Sequence, residues 1–234
     1  MRWREPVRLS VVVPVLDEAQ RIGRSLTELR SIPGIDEVVV VDGGSSDGTT
    51  DIVRRMPGVR LVGAPRGRGT QLNAGARAAT GDVLLFLHAD VSLPPDAAAW
   101  VARALADPAV VAGAFRVRTV ADAGPAWLGP LLRLADLRSR VTRFPYGDQA
   151  VFVRRGAFEQ VGGFPEQPLM EDVELARRLR RVGTIRTVPG VVRVSGRRFL
   201  AHPIRAVVAM RVFPLLYRIG VSPARLARLY GDPR

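Results

Sequence analysis

Three aspartates stand where a folded chain would present them for chemistry. Asp42 closes the apolar run "DEVVVVD" and precedes "GGSSDG". A carboxylate there can accept hydrogen bonds from a ribose or a base, and the glycines let a ligand approach the backbone. Its plainer role is to cap the next helix, a role that Asp47, directly before Gly48 and a helix start, fits better. Asp90 closes "DVLLFLHAD". A hard divalent ion such as Mg²⁺ or Mn²⁺ takes carboxylate oxygen and often keeps phosphates and waters as its other ligands, so one carboxylate beside a diphosphate can suffice. The competing role for Asp90 is to cap the helix after "SLPP". Asp172 follows Glu171 in "MEDVEL", at a helix start. The helix dipole favours a carboxylate there, and capping acids are equally ordinary there. His88 ends the same run as Asp90. A neutral imidazole at that point can hydrogen-bond a sugar or ribose, ligate a metal, or simply finish a strand.

The elements that must carry these residues alternate. "LSVVVPVL" (Leu9–Leu16) is β-branched and continuously apolar, as a strand covered on both faces would be. The following segment repeats Ile22, Leu26 and Leu29 at helical spacing and stops at Pro33-Gly34. A strand to Val41, a glycine-rich turn and a helix from about Thr49 repeat the design. "VRLVGAP" is a third strand, "GTQLNAGARAATG" a helix, "DVLLFLHAD" a fourth strand, and "PPDAAAWVARALAD" a helix opened by prolines. Strand alternating with helix predicts an α/β fold: a Rossmann-like, mostly parallel sheet with helices on both faces. Ligands in such sheets bind beyond the carboxyl ends of the strands, which is where Pro14–Glu18, Asp42–Asp47 and His88–Asp90 fall.

After about Val110 the pattern changes. "VVAGAFRVRTV" alternates like a strand, and "AWLGPLLRLADLRSRVT" reads as a helix broken at Pro130. "YGDQAVFVRRGAFEQVGGF" gives a strand and a short turn, "MEDVELARRLRRVG" a helix with Leu175, Leu179 and Val182 on one face, and "TIRTVPGVVRVS" a strand. One domain is expected over residues 1–234, with two halves, over 1–110 and a mixed one over 111–199, and a basic, helical tail over 200–234.

Two nucleotide-binding signatures are absent. "PVLDEAQRIG" after the first strand lacks the G-x-G-x-x-G spacing that seats a dinucleotide pyrophosphate, "GRGTQLNAG" follows the third strand with the wrong spacing, and no Walker A sequence occurs. The chain has no cysteine, which excludes disulfides and cysteine-based zinc sites. The run Leu9–Leu16 is too short for a signal peptide and ends in Asp17 and Glu18, and no 20-residue apolar stretch exists. A cytoplasmic protein without a membrane span is expected.

Charge is lopsided. All 35 basic residues are arginine, and the net charge is +13. Nine arginines against one acid lie between Arg193 and Arg234. The balance implies an anionic partner or a solvated basic face. Arg205, Arg211, Arg218 and Arg225 recur every six or seven residues among Val, Met, Phe, Leu and Tyr. That spacing fits an amphipathic segment on an anionic membrane, or a helix pair packed on the domain or a second subunit. No nucleic-acid recognition motif accompanies the arginines, so no nucleic-acid partner is expected.

Taken together, "VVVPVLDEAQRI", "VVVVDGGSSDGT", "GRGTQLNAGARAATGDVLLFLHADVSLP", "FVRRGAFEQVGGF" and "MEDVELARRLRRVG" resemble family 2 glycosyltransferases in order and spacing, over roughly residues 8 to 200. The resemblance implies a GT-A fold and a nucleotide-sugar-dependent, inverting sugar transfer assisted by Mg²⁺ or Mn²⁺. It implies that Pro14, Leu16 and Glu18 contact the base and ribose, that Asp42 binds the base, and that Arg68, Asn73, His88 and Ala89 line the nucleotide pocket. Asp90 matches the last acid of the D-x-D metal motif. Glu171 and Asp172 match the family's E-D pair, with Asp172 as general base. Arg197 and Arg198 lie where members often face the diphosphate with basic or aromatic residues. Asp148 and Gln149, in "YGDQ", are candidates to face the diphosphate or the acceptor. His88 is the departure: most members carry an acid there, and H-A-D with Y-G-D-Q looks like a small, soluble subgroup. The acceptor (lipid, glycan or small molecule), the donor sugar and the oligomeric state are open. A nucleotidyltransferase and a non-catalytic membrane- or anion-binding protein are the competing readings.

Overall fold

The computed structural model describes residues 7–120, 136, 145–196 and 212–230. The strands are β1 (Leu9–Val15), β2 (Glu37–Asp42), β3 (Val59–Gly63), β4 (Val83–Phe86), β5 (Val91–Ser92), β6 (Val110–Val120), β7 (Phe152–Arg154) and β8 (Thr184–Ser195). The helices are α1 (Ala19–Arg30), α2 (Thr49–Arg54), α3 (Arg68–Ala78), α4 (Ala97–Leu105), α5 (Arg155–Gln160), α6 (Glu171–Leu179) and α7 (Pro223–Tyr230), with a further helical segment over 212–218.

All eight strands form one sheet in the order β3-β2-β1-β4-β7-β6-β8-β5. The first four are parallel, and β7 runs antiparallel to both β4 and β6. The valine runs explain the centre. Val11, Val12, Val13 and Val39, Val40, Val41 are all fully buried, because helices cover both faces and leave no polar side to alternate with. One face packs on α1 through Ile22, Leu26 and Leu29; the other packs on α3 through Leu72 and Ala76. Chain order reverses beside β1, since β2 lies on one side and β4 on the other, so a crevice opens at the carboxyl ends of these strands.

Three expectations shift. The fourth strand ends at Phe86, so His88, Ala89 and Asp90 lie in the turn into β5, with the Val91 N–H donating to the His88 carbonyl at 3.0 Å. The short turn expected after β7 is the helix α5, which supplies Phe158 to an aromatic cluster with Phe86 and Phe164. Asp90 does not cap α4, whose N-cap is Asp96. Of the helix expected around Pro130, only Asp136 is among the described residues.

Candidate active site

Two adjoining spaces open at the strand ends. The outer one is a cleft of about 550 Å³ lined by Pro14, Leu16, Glu18, Arg68, His88, Ala89 and Asp90 among others. The inner one is a small cavity of about 20 Å³, bounded by Glu171, Asp172 and Gly147. Arg68 and His88 belong to both linings and so form the wall between them.

Arg68 binds the site together electrostatically. Its guanidinium stands 3.3 Å from the buried carboxylate of Glu171. Burial works against its charge, but Glu171, Asp172 and Asp90 outweigh that and hold its pKa above the ordinary value. Burial pushes the Glu171 carboxyl above its usual range; Arg68 opposes this, and the neighbouring Asp172 adds to it. Acids expected from two separate segments, Asp90 in one and Glu171 and Asp172 in the other, thus share one cation.

Asp172 is oriented from two sides. The Gly147 N–H donates to its Oδ2 and the Val173 N–H to its Oδ1, both at 2.7 Å. A carboxylate oxygen has two lone pairs, so each oxygen keeps capacity for one more partner. Asp90 faces the outer cleft from the β4–β5 turn. Among the described residues no three His, Asp or Glu side chains converge to hold a metal ion. The donor set therefore fits only an ion that brings most of its ligands with it, as a diphosphate-bound Mg²⁺ or Mn²⁺ does.

Other candidates are placed differently. Asp42 accepts the N–H groups of Gly44 and Ser45 at 3.0 and 3.1 Å, so both its oxygens serve its own turn. Asp47 accepts from Thr49 and also from the Ala19 N–H at 2.9 Å, which ties the second loop to the start of α1. Asn73 is turned away from the cleft expected for it. Its amide donates to the Phe164 carbonyl and accepts the Phe164 N–H, both at 2.9 Å, because α3 packs edge-on against the Gly162–Phe164 turn. Gln149 is 1% exposed; its carbonyl accepts the Tyr146 N–H and its amide donates to the Phe115 carbonyl, so it braces the 147–149 turn and does not face a ligand. Asp148 lies on that same turn, partly exposed. Arg197 and Arg198 lie outside the described residues.

Gln71 belongs to no motif in the sequence. This buried amide donates to the carbonyls of Val15 and Val41, both at 2.9 Å, and so clamps the ends of β1 and β2 under the cleft. Only its place one turn into α3, facing the strands, could have signalled it. Backbone strain marks the same region. Among the described residues the non-glycine positions with left-handed φ are Asp17, Ala150 and Met170. They adjoin the β1 end, the 147–149 turn and Glu171 respectively, and such conformations, costing about 1–3 kcal/mol each, cluster at functional sites.

The model of the family described as glycosyl transferase family 2 matches residues 10–162. A PGL/p-HBAD biosynthesis glycosyltransferase of Mycobacterium bovis is 31% identical over 163 residues, 66% of this chain and 62% of the relative. Glucosyl-3-phosphoglycerate synthase of Mycolicibacterium smegmatis is 31% identical over 98 residues, 38% of this chain and 32% of that one. Three curated relatives, this synthase among them, are matched over only 28–32% of their length. Among solved structures, the mannosyltransferase PcManGT from Pyrobaculum calidifontis, in complex with GDP-Man and Mn²⁺, superimposes with a TM-score of 0.67 at 27% identity, over 96% of this chain and 68% of that one.

Proposed function

This chain belongs to glycosyl transferase family 2 and has the GT-A fold; from that premise we propose that it moves a sugar from a nucleotide-sugar donor to an acceptor hydroxyl by a single, inverting displacement. Membership in the family sets aside the nucleotidyltransferase and the non-catalytic binding protein. The observation that carries the reading is Arg68, one cation coupled to Glu171, Asp172 and Asp90 at the wall of the cleft.

The linings support a division of labour. The 1–110 half holds the nucleotide in the outer cleft, against Pro14, Leu16 and Glu18. Asp42 shapes the adjoining loop, and any contact it makes with the base rests on the family resemblance. Arg66, Arg68 and the N-terminus of α3 edge the cleft, and positive charge there suits a diphosphate. Asp90 and the diphosphate would hold Mg²⁺ or Mn²⁺, which when bound neutralises charge on the leaving nucleotide. Asp172, in the 111–199 half, takes the proton of the acceptor hydroxyl as that oxygen attacks the anomeric carbon. Glu171 anchors Arg68 beside it.

A thermal-shift panel tests this. GDP-, UDP- and dTDP-sugars are offered with and without Mn²⁺. Stabilisation by one nucleotide class that depends on metal and is lost in Asp90→Asn is the expected result. Stabilisation without metal would remove the metal from the mechanism, and no response to any donor would remove the reading.

A second reading concerns the tail, and here we infer contact with an anionic membrane. Phe213 and Leu226 are buried against Leu169, just ahead of α6, so the tail docks on the domain by one face. Its other face exposes Leu215 by 59%, Ile219 by 78% and Leu229 by 65%. Arg218, Arg225 and Arg228 flank them, and residues 212–230 contain no acid. Apolar side chains flanked by arginines suit an interface of anionic lipid. Among the described residues no helix is long and apolar enough to cross a membrane. Flotation with phosphatidylglycerol vesicles should carry the protein, and L215E/I219E should abolish it; equal flotation of both would sink the idea.

A further inference from the structure

The residue that departs from the family pattern touches the turn that holds the catalytic carboxylate. A Cβ built on Gly147 would lie 2.6 Å from His88 Nε2, and its next nearest atoms, at 3.5 and 3.6 Å, are also of the His88 ring. The imidazole therefore covers the face of Gly147 that a side chain would occupy. Gly147 has no left-handed φ to demand glycine, so the ring is what excludes a side chain there. The Gly147 N–H is the donor to Asp172 Oδ2 at 2.7 Å. Behind the turn, Gln149 bonds Tyr146 and Phe115 and fixes it to β6. In front, the support comes from His88, whose own carbonyl is fixed by the Val91 N–H.

We propose that His88 is a positioning residue: its ring wedges the 147–149 turn so that the Gly147 N–H aims the Asp172 carboxylate, and Gly147 is glycine because His88 stands there. The H-A-D and Y-G-D-Q segments are then one device in two pieces. The proposal rests on the reading of Asp172 as the base. It assigns His88 packing and orientation, not ligation of the metal. An aspartate at position 88 would be shorter than the imidazole and would leave this face of Gly147 uncovered.

The test is a double-mutant cycle on His88→Ala and Gly147→Ala, with His88→Gln as the conservative variant, in the full chain. Gly147→Ala should lower kcat by about 10-fold or more with donor KM little changed, since displacement of a reacting group by about an ångström costs up to about 100-fold. Gly147→Ala should also lower Tm. In the His88→Ala background the added methyl fits the vacated space, so it should cost neither Tm nor further kcat. His88→Gln should retain most of the rate. Stabilisation by nucleotide diphosphate with Mn²⁺, read by thermal shift, should be unchanged in Gly147→Ala, since Gly147 borders the inner cavity and not the outer cleft. Multiplying losses in the double variant would overturn the wedge, and so would loss of Mn²⁺-dependent nucleotide binding in Gly147→Ala. If Asp172→Asn keeps normal turnover, the base reading falls; if Asp172→Asn is inactive while the cycle is additive, only the wedge falls.

Discussion

Arg68 and Glu171, 103 residues apart in the chain, meet at 3.3 Å across the wall between the cleft and its inner cavity. Glu171 is 3% exposed at its side chain, so its charge depends on this one cation. Arg68→Met should destabilise the fold by about 2 kcal/mol or more, less than the about 3–5 kcal/mol of a fully buried pair because Arg68 is itself 32% exposed. The pH dependence has a definite sign. A carboxyl raised by burial binds its proton more tightly folded than unfolded, so its stabilisation is present at low pH and lost as pH rises through the folded value. Arg68→Met raises that value further and should steepen the loss above the usual 4.5. Glu171→Gln should flatten it. Urea unfolding across acidic to neutral pH measures both.

Asp172→Asn should reduce turnover by about 10²–10⁴-fold, the usual worth of a general base. The substitution is not silent structurally. Asp172 accepts an N–H on each oxygen, and an asparagine offers only one carbonyl, so one of the two bonds must break. A loss of about 1 kcal/mol in stability is expected beside the rate effect. Rates compared at equal folded fraction, checked by circular dichroism, separate the two.

How far the chain could be read in advance depended on whether a partner was local. The valine runs of β1 and β2 were legible because double-sided burial needs no knowledge of neighbours. That Pro14 lies at a strand end, and Glu18 and Asp90 just beyond one, followed from the alternation. Phe86 ends its strand four residues before Asp90, since β4 stops pairing with β1 at Val12 while the apolar sequence runs on. The family resemblance puts Asn73 in the nucleotide pocket, and nothing in "GRGTQLNAG" reveals Phe164, 91 residues later. Gln71 and Gln149 were opaque for the same reason: an amide's two partners are set by tertiary contact.

Gly75 decides how close α3 lies to the sheet. A Cβ there would stand 2.2 Å from Val12 Cγ1 and 2.8 Å from Val41 Cγ2, both on fully buried side chains. Gly75→Ala gains about 1 kcal/mol of helix propensity. Overpacking a core with no room to yield costs about 1–3 kcal/mol, and with this overlap the upper part of that range applies. A net loss of about 1–2 kcal/mol is expected in chemical denaturation. Because α3 also carries Arg68 and Gln71 to the cleft, the same variant should weaken nucleotide binding; Gly156→Ala, at a helical position with open space, should do neither.

Glu174 ties the tail to the helix that carries Asp172. Its carboxylate accepts two bonds from Arg177 at 2.7 Å and one from Arg178 at 3.0 Å, and the Tyr217 hydroxyl donates to it at 3.3 Å. The hydrogen bonds from Arg177 chiefly hold its pKa at about 2, against an ordinary 4.5. A depressed carboxylate stabilises the fold above its unfolded value and loses that contribution as pH falls through the folded one. Stability should therefore decline between about pH 4.5 and 2 in the natural chain. Glu174→Gln should remove that decline and lower stability at neutral pH. The same substitution leaves Tyr217 with a neutral partner, so limited proteolysis near residues 212–218 should quicken while α6, packed through Leu175 and Leu179, stays protected. Cleavage at an unchanged rate would show that Phe213 and Leu226 alone hold the tail.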